Sequence, residues 1–138
     1  MSGGPTTVSL DTNCLLRWLL GDIPKQAEIV ADLLNSSETF YVADPALIEL
    51  VFVLEKVKKI DRNLIQKAVS AIMAQANVKC NREIFEETMP LYVEHSKLSV
   101  TDCYLSVAAQ KRGARPLLTF DRKLANQLGA KLLTGDAQ

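Results

Sequence analysis

Residues 6–21 read Thr6-Thr-Val-Ser-Leu-Asp11-Thr-Asn-Cys-Leu-Leu-Arg-Trp-Leu-Leu-Gly21. The first five, Thr6–Leu10, are rich in β-branched side chains and read as a short strand. Asn13–Leu20 is apolar at helical spacing, and Gly21 is a natural helix stop. Between the two stands a single carboxylate, Asp11, where a strand gives way to a helix. In a parallel α/β sheet the residues that follow strands lie along one edge, and ligands bind there where the strand order reverses. This stretch therefore predicts a strand–helix unit with an acid at the ligand-binding end.

The pattern repeats outward along the chain. After Pro24, the residues Ile29, Val30, Leu33 and Leu34 recur at helical spacing. Thr39–Val42 is strand-like. Asp44-Pro45 predicts an N-cap, with proline at the first position of a helix reaching about Lys59. Asp61 opens another helix, with Leu64, Ile65, Ala68, Val69, Ile72 and Met73 on one stripe. Asn77–Cys80 is a weak third strand. Ile84, Phe85, Thr88, Met89, Tyr92 and Val93 mark a helix that Pro90 would bend. Ser99–Lys111 is a small-residue helix closed by Gly113. Pro116–Thr119 is a fourth strand, Arg122–Leu128 a short helix before Gly129, and Lys131–Leu133 a last strand. Strands alternating with helices imply an α/β fold with a parallel sheet covered on both faces. One domain over residues 6–138 is expected. Residues 1–5 read as a flexible Gly-rich tail outside it, whether native or left by cloning.

The composition sets bounds on function. The chain has 138 residues, 48% of them hydrophobic and 23% charged, as in an ordinary soluble globular domain. No apolar run is long enough to span a membrane, and the N-terminus shows no signal peptide. The three cysteines, Cys14, Cys80 and Cys103, are odd in number and lack metal-ligand spacing. Reduced thiols in a cytoplasmic protein are expected. The formal net charge is zero, so the basic surface typical of nucleic-acid binders is absent. Any contact with nucleic acid would rely on local cations and bound metal.

Two further aspartates resemble Asp11 in position, and a fourth acid, Glu49, stands apart from them. Asp121 precedes the Arg122–Leu128 helix, and Asp102 lies in Ser99-Val-Thr-Asp102. Glu49 sits within the apolar run Leu47–Leu54. Each aspartate has a plain structural reading as a helix cap, and Ser99 with Asp102 resembles a capping box. Glu49 is harder to explain so simply. A helix apolar nearly all round is a buried helix, so Glu49 is expected to face the interior or a cleft, or to pair with a cation. If the fold gathers these carboxylates, they repel one another unless a cation joins them. Such a site keeps waters around a hard divalent ion and suits metal-assisted hydrolysis of a phosphodiester.

Four segments carry a family resemblance: Val8-Ser-Leu-Asp11-Thr-Asn13, Ile48-Glu49-Leu50, Leu98-Ser-Val-Thr-Asp102-Cys-Tyr-Leu and Leu118-Thr-Phe-Asp121-Arg-Lys-Leu. In this order the chain resembles a PIN-domain ribonuclease, most of all the toxin components of VapBC toxin–antitoxin pairs. The resemblance implies a three-layer sandwich around about five parallel strands in the order 3-2-1-4-5. It implies Mg²⁺- or Mn²⁺-dependent cleavage of single-stranded RNA by metal-activated water. Asp11, Asp102 and Asp121 would be the metal ligands, and Glu49 would position the attacking water. Thr119 and Asn13 would support the acids, Thr119 by holding a carboxylate or phosphate and Asn13 by orienting Asp11. An antitoxin partner and a homodimer also follow from the resemblance.

Two other classes remain open at this point. One is a non-catalytic RNA- or protein-binding PIN module, against which the four acids speak. The other is a receiver-type phosphoacceptor domain. That class needs paired acids after the first strand and a phosphorylatable Asp after the third. Here Asp11 stands alone and Cys80-Asn81-Arg82 follows the third strand. Elsewhere, His95 reads as a solvated loop histidine, and Cys14 and Cys103 as small core residues. Arg17, Lys97, Arg115, Arg122 and Lys123 are candidate phosphate contacts or ordinary solvated charges.

Overall fold

A computed structural model describes residues 7–135. The tail at residues 1–5 lies outside the described residues. The chain divides into two compact units, the first ending at Asn81 and the second beginning at Arg82.

The first unit holds strand β1 (Thr7–Ser9), helices α1 (Thr12–Leu20) and α2 (Pro24–Leu34), strand β2 (Thr39–Tyr41), helices α3 (Asp44–Phe52) and α4 (Arg62–Met73), and strand β3 (Val78–Lys79). Its strands pair in parallel with β2 in the centre, Val8 opposite Phe40 and Phe40 opposite Val78. Alternation sets the faces of β2: Phe40 and Val42 are buried while Tyr41 is exposed. Leu15, Leu16, Val30, Leu34, Leu47, Leu50, Ile65, Val69 and Ile72 are the main buried helix side chains. α1 ends at Gly21, whose φ of 62° is left-handed and whose N–H bonds Arg17 O at 3.0 Å.

The third helix departs from expectation at both ends. Ala43, not Asp44, is its N-cap, and Asp44 is the first helical residue. There the Asp44 charge meets the positive end of the helix dipole, and its Oδ2 accepts from Asn81 Nδ2 at 3.2 Å. The regular helix stops at Phe52 rather than continuing to Lys59, and Val53–Val57 is a π-helical turn. Lys58 N–H reaches back to Val53 O at 3.0 Å, and Lys59 then takes a left-handed φ of 57° that ends the turn. Glu55 on this turn pairs with Arg62 at 3.2 Å.

The second unit holds α5 (Arg82–Glu94), α6 (Val100–Lys111), strand β4 (Leu118–Thr119), α7 (Arg122–Leu128) and strand β5 (Lys131–Leu132). α5 runs unbroken through Pro90. It packs on α6, with the Phe85 and Tyr104 rings 5.6 Å apart and Lys111 bridging Glu83 and Glu87. β4 and β5 pair in parallel, Leu118 opposite Lys131.

The fold is α/β with parallel strands. Where one sheet of about five strands in the order 3-2-1-4-5 was expected, the described strands form two ladders, β1-β2-β3 in one unit and β4-β5 in the other. Neighbours inside each ladder are those of the expected order. Strands β4 and β5 are two residues long, so each offers very few ladder hydrogen bonds.

Candidate active site

Asp11 follows β1 with extended backbone and caps α1, its Oδ1 accepting from Cys14 N–H at 2.9 Å. That bond, with smaller help from the Cys14 thiol and the Asn13 N–H, holds the Asp11 carboxyl below its ordinary range. Asp11 is thus an exposed, firmly ionised carboxylate at the end of a strand. Burial pushes the Cys14 thiol up, and Asp11 beside it adds to the rise. A thiol raised in this way is a poor nucleophile. Cys14 is half-buried on a cleft wall rather than in the core, where it was expected.

The next residue, Thr12, is buried, and its importance was not seen in the sequence. Its Oγ1 lies 3.0 Å from Ala46 O and 3.3 Å from Glu49 Oε1. One hydroxyl proton is shared between those two acceptors. Thr12 therefore ties the start of α1 to α3 and holds Glu49 one residue away from Asp11. The available signal was a hydroxyl directly after Asp11 on a helix whose other face is apolar.

Glu49 is not in the interior. Leu47, Leu50 and Val51 form the buried face of α3, while Glu49 is exposed and Phe52 is 55% exposed. The expectation of a buried helix counted apolar residues without their angular position. Glu49 is instead a surface carboxylate held by Thr12.

In the second unit Asp121 is the N-cap of α7, and Asp102 is the third residue of α6, in a capping box with the N-cap Ser99. Ser99 Oγ accepts from Asp102 N–H at 3.1 Å, and Asp102 Oδ2 accepts from Ser99 N–H at 3.2 Å, a reciprocal capping box. Asp121 Oδ1 accepts from Lys123 N–H at 2.9 Å and Leu124 N–H at 3.5 Å. Thr119 Oγ1 accepts from Asp121 N–H at 2.9 Å, so it shapes the turn that carries Asp121. Capping and cation binding are compatible here. Among the described residues, Asp102 and Asp121 each use one carboxylate oxygen for the cap.

Each unit thus carries two of the four acids. No group of three or more His, Cys, Asp or Glu side chains placed to hold a metal ion occurs among the described residues. The donors are all carboxylate oxygens, a set that suits a hard cation.

Beside Asp11 lies a cleft of about 270 Å³, lined by Asn13, Cys14, Arg17, Gln26, Ile29 and Val30 as well as Asp11. Asn13 lies on this wall, as the second residue of α1. The candidate phosphate contacts are varied. Arg17 pairs with Asp22 at 3.3 Å, whereas Lys97, Arg115, Arg122 and Lys123 are exposed. His95 lies in the loop after α5 as expected, but it is half-buried rather than solvated, its Nδ1 3.0 Å from Gln127 Oε1. Cys103 is buried in the core, as expected. No helix among the described residues is long and apolar enough to cross a membrane.

The PIN domain profile matches residues 8–137, and the chain belongs to the PIN-domain family. It is similar to the VapC ribonuclease of Aquifex aeolicus (strain VF5), with 33% identity over 132 residues, covering 88% of this chain and 92% of that protein. The profile match spans Asp11, Glu49, Asp102 and Asp121.

Proposed function

We propose that the protein is a metal-dependent endoribonuclease acting on single-stranded RNA, and the toxin of a toxin–antitoxin pair. The observation that carries this reading is the hydrogen bond holding Glu49 to Thr12, the residue that follows Asp11, in a chain similar to a VapC ribonuclease. We further take residues 6–138 as a single PIN domain of the three-layer sandwich type.

The ligands would be Asp11, Asp102 and Asp121, and the ion Mg²⁺ or Mn²⁺. When bound, the cation neutralises phosphate charge and makes water more acidic. The chain's own residues do the rest. Glu49, its Oε1 beside Thr12 Oγ1, orients a water for attack on phosphorus and accepts its proton. The bond from phosphorus to the ribose 3′ oxygen breaks, and that oxygen takes up a proton. The products are a 5′-phosphate and a 3′-hydroxyl. Thr119 and Asn13 act indirectly, by shaping the Asp121 turn and the wall beside Asp11.

An antitoxin would hold the enzyme inactive in the cytoplasm. Self-association into a homodimer fits the exposed apolar side chains Phe52, Val57 and Leu64. A receiver-type role is disfavoured, because β3 is followed by Cys80 and Asn81 rather than a phosphorylatable aspartate. The test is cleavage of structured and unstructured RNAs by purified protein. Unstructured RNA should be cut with Mg²⁺ or Mn²⁺ and spared with EDTA. Cutting undiminished by chelation would overturn the metal-dependent reading.

A further inference from the structure

The cleft beside Asp11 has a chemistry that phosphodiester hydrolysis does not itself require. Cys14, Ile29 and Val30 give it apolar walls, while Asn13, Arg17 and Gln26 add polar groups. Its 270 Å³ falls just under the roughly 300 Å³ at which small-molecule pockets begin. That is space for one flat ring system rather than a run of nucleotides.

Arg17 is the unusual member. One terminal nitrogen pairs with Asp22, yet its Nε is buried with no hydrogen-bond partner. Buried donors without an acceptor are rare and costly. The buried Nε is closed to a ligand, so a molecule in the cleft would meet the terminal nitrogens of the guanidinium, one of which pairs with Asp22. Asn13 and Gln26 each add an amide, with one acceptor and two donors. Apolar walls with a polar edge match a nucleobase, whose faces stack and whose edges hydrogen-bond. Single-stranded RNA is the form that offers such bases unstacked.

We propose that this cleft binds one unstacked RNA base beside the scissile phosphate, and that Arg17 makes guanine the preferred base. Guanine presents two adjacent acceptors, O6 and N7, to the paired donors of a guanidinium. Adenine places a donor where guanine has O6, so it loses half of that contact. Asp11 lines the same cleft, which sets the bound base next to the bond to be cut. The inference rests on the ribonuclease reading for its biological sense, but its chemistry is tested without cleavage.

The experiment is a metal-free titration of ¹⁵N-labelled protein with guanosine 5′-monophosphate, adenosine 5′-monophosphate and ribose 5-phosphate. Backbone amide signals of residues 11–17 and 26–30 should shift saturably with the guanine nucleotide. Adenosine monophosphate should bind several-fold more weakly, and ribose 5-phosphate should leave these signals unmoved. Arg17→Met should erase the preference between the two nucleotides. Ile29 is 57% exposed, so Ile29→Trp should fill the cleft and block binding while preserving the rest of the spectrum.

Equal shifts with ribose 5-phosphate would make the cleft a phosphate site and overturn the proposal. So would equal binding of both nucleotides by the wild type, or shifts confined to other residues. A protein that cuts RNA yet shows no shift in the cleft defeats this inference alone. A protein that binds guanine here but cuts no RNA defeats the nuclease reading alone.

Discussion

The two units position their acids by different means. In the second, Asp102 and Asp121 are held by the backbone N–H groups of their own helices, all within three residues. In the first, Asp11 is held the same way, but Glu49 is held by Thr12, 37 positions away. Local caps form whenever the helix forms. The Thr12–Glu49 contact exists only because α1 packs against α3. The comparison separates acids whose geometry is a local property from one whose geometry is a product of packing.

The largest effect is expected where a local cap is also a proposed metal ligand. Asp11→Asn keeps the cap, because Asn caps about as well as Asp. It removes a charged ligand, so RNA cleavage should fall by more than about 100-fold, beyond the loss typical of groups that merely support a ligand. Melting of the metal-free protein should change little. Cleavage assays beside circular-dichroism melts decide it, and an active Asp11→Asn protein would remove the centre of the functional reading.

The packing-dependent contact should break differently. Thr12→Val keeps shape but deletes the hydroxyl shared by Ala46 O and Glu49 Oε1. It should cost about 0.5–1.5 kcal/mol of stability, the usual net worth of one hydrogen bond. Cleavage should fall roughly 10- to 100-fold, as expected when a supporting hydrogen bond is lost. Thr12→Ser should restore most of both in denaturant titrations and kinetic assays. Equal activity in the Val and Ser variants would show that Thr12 does not act on Glu49.

The purely local cap should give a smaller response in cleavage. Ser99→Ala opens the capping box and should cost about 1 kcal/mol of stability, the usual cost of losing such a cap. Its effect on cleavage should be slight, since Asp102 remains on α6. A loss of activity as large as that of Thr12→Val would erase the distinction between the units.

The smallest effect is on acid stability. The folded Asp11 carboxyl lies below its ordinary value of 3.8. It therefore contributes stability that is fully present above 3.8 and is lost as pH falls through the folded value. Asp11→Asn cannot titrate, so the stability difference between wild type and variant should be flat above 3.8. Below it, the wild type should lose ground relative to the variant. Parallel acid titrations of the two metal-free proteins measure this, and identical curves would deny Asp11 its cap-stabilised charge.

Local rules recovered most elements, because their signals lie within a few residues. Gly21 and Gly129 end α1 and α7 as expected, and the capping box at Ser99 and Asp102 is present. Where several residues compete, the reading erred. The π-turn at Val53–Val57 cuts α3 short, and Glu49 faces solvent because the angle around the helix matters more than the run of apolar neighbours. His95 lies in a loop as expected, but it is half-buried rather than solvated, because Gln127, 32 positions away, holds it.

The sequence by itself determined the alternation of strands and helices, the placement of Asp11, Asp102 and Asp121 at helix starts, and the resemblance to the PIN-domain family. Each depends on side chains acting on nearby backbone. Only tertiary structure decided that Thr12 joins Glu49 to the Asp11 end of α1, and that α1 and α2 enclose a cleft with Arg17 on its wall. It also decided that the strands form two ladders. These features join residues far apart in the chain, where side-chain packing and hydrogen-bond partners, rather than local backbone preference, choose the contact.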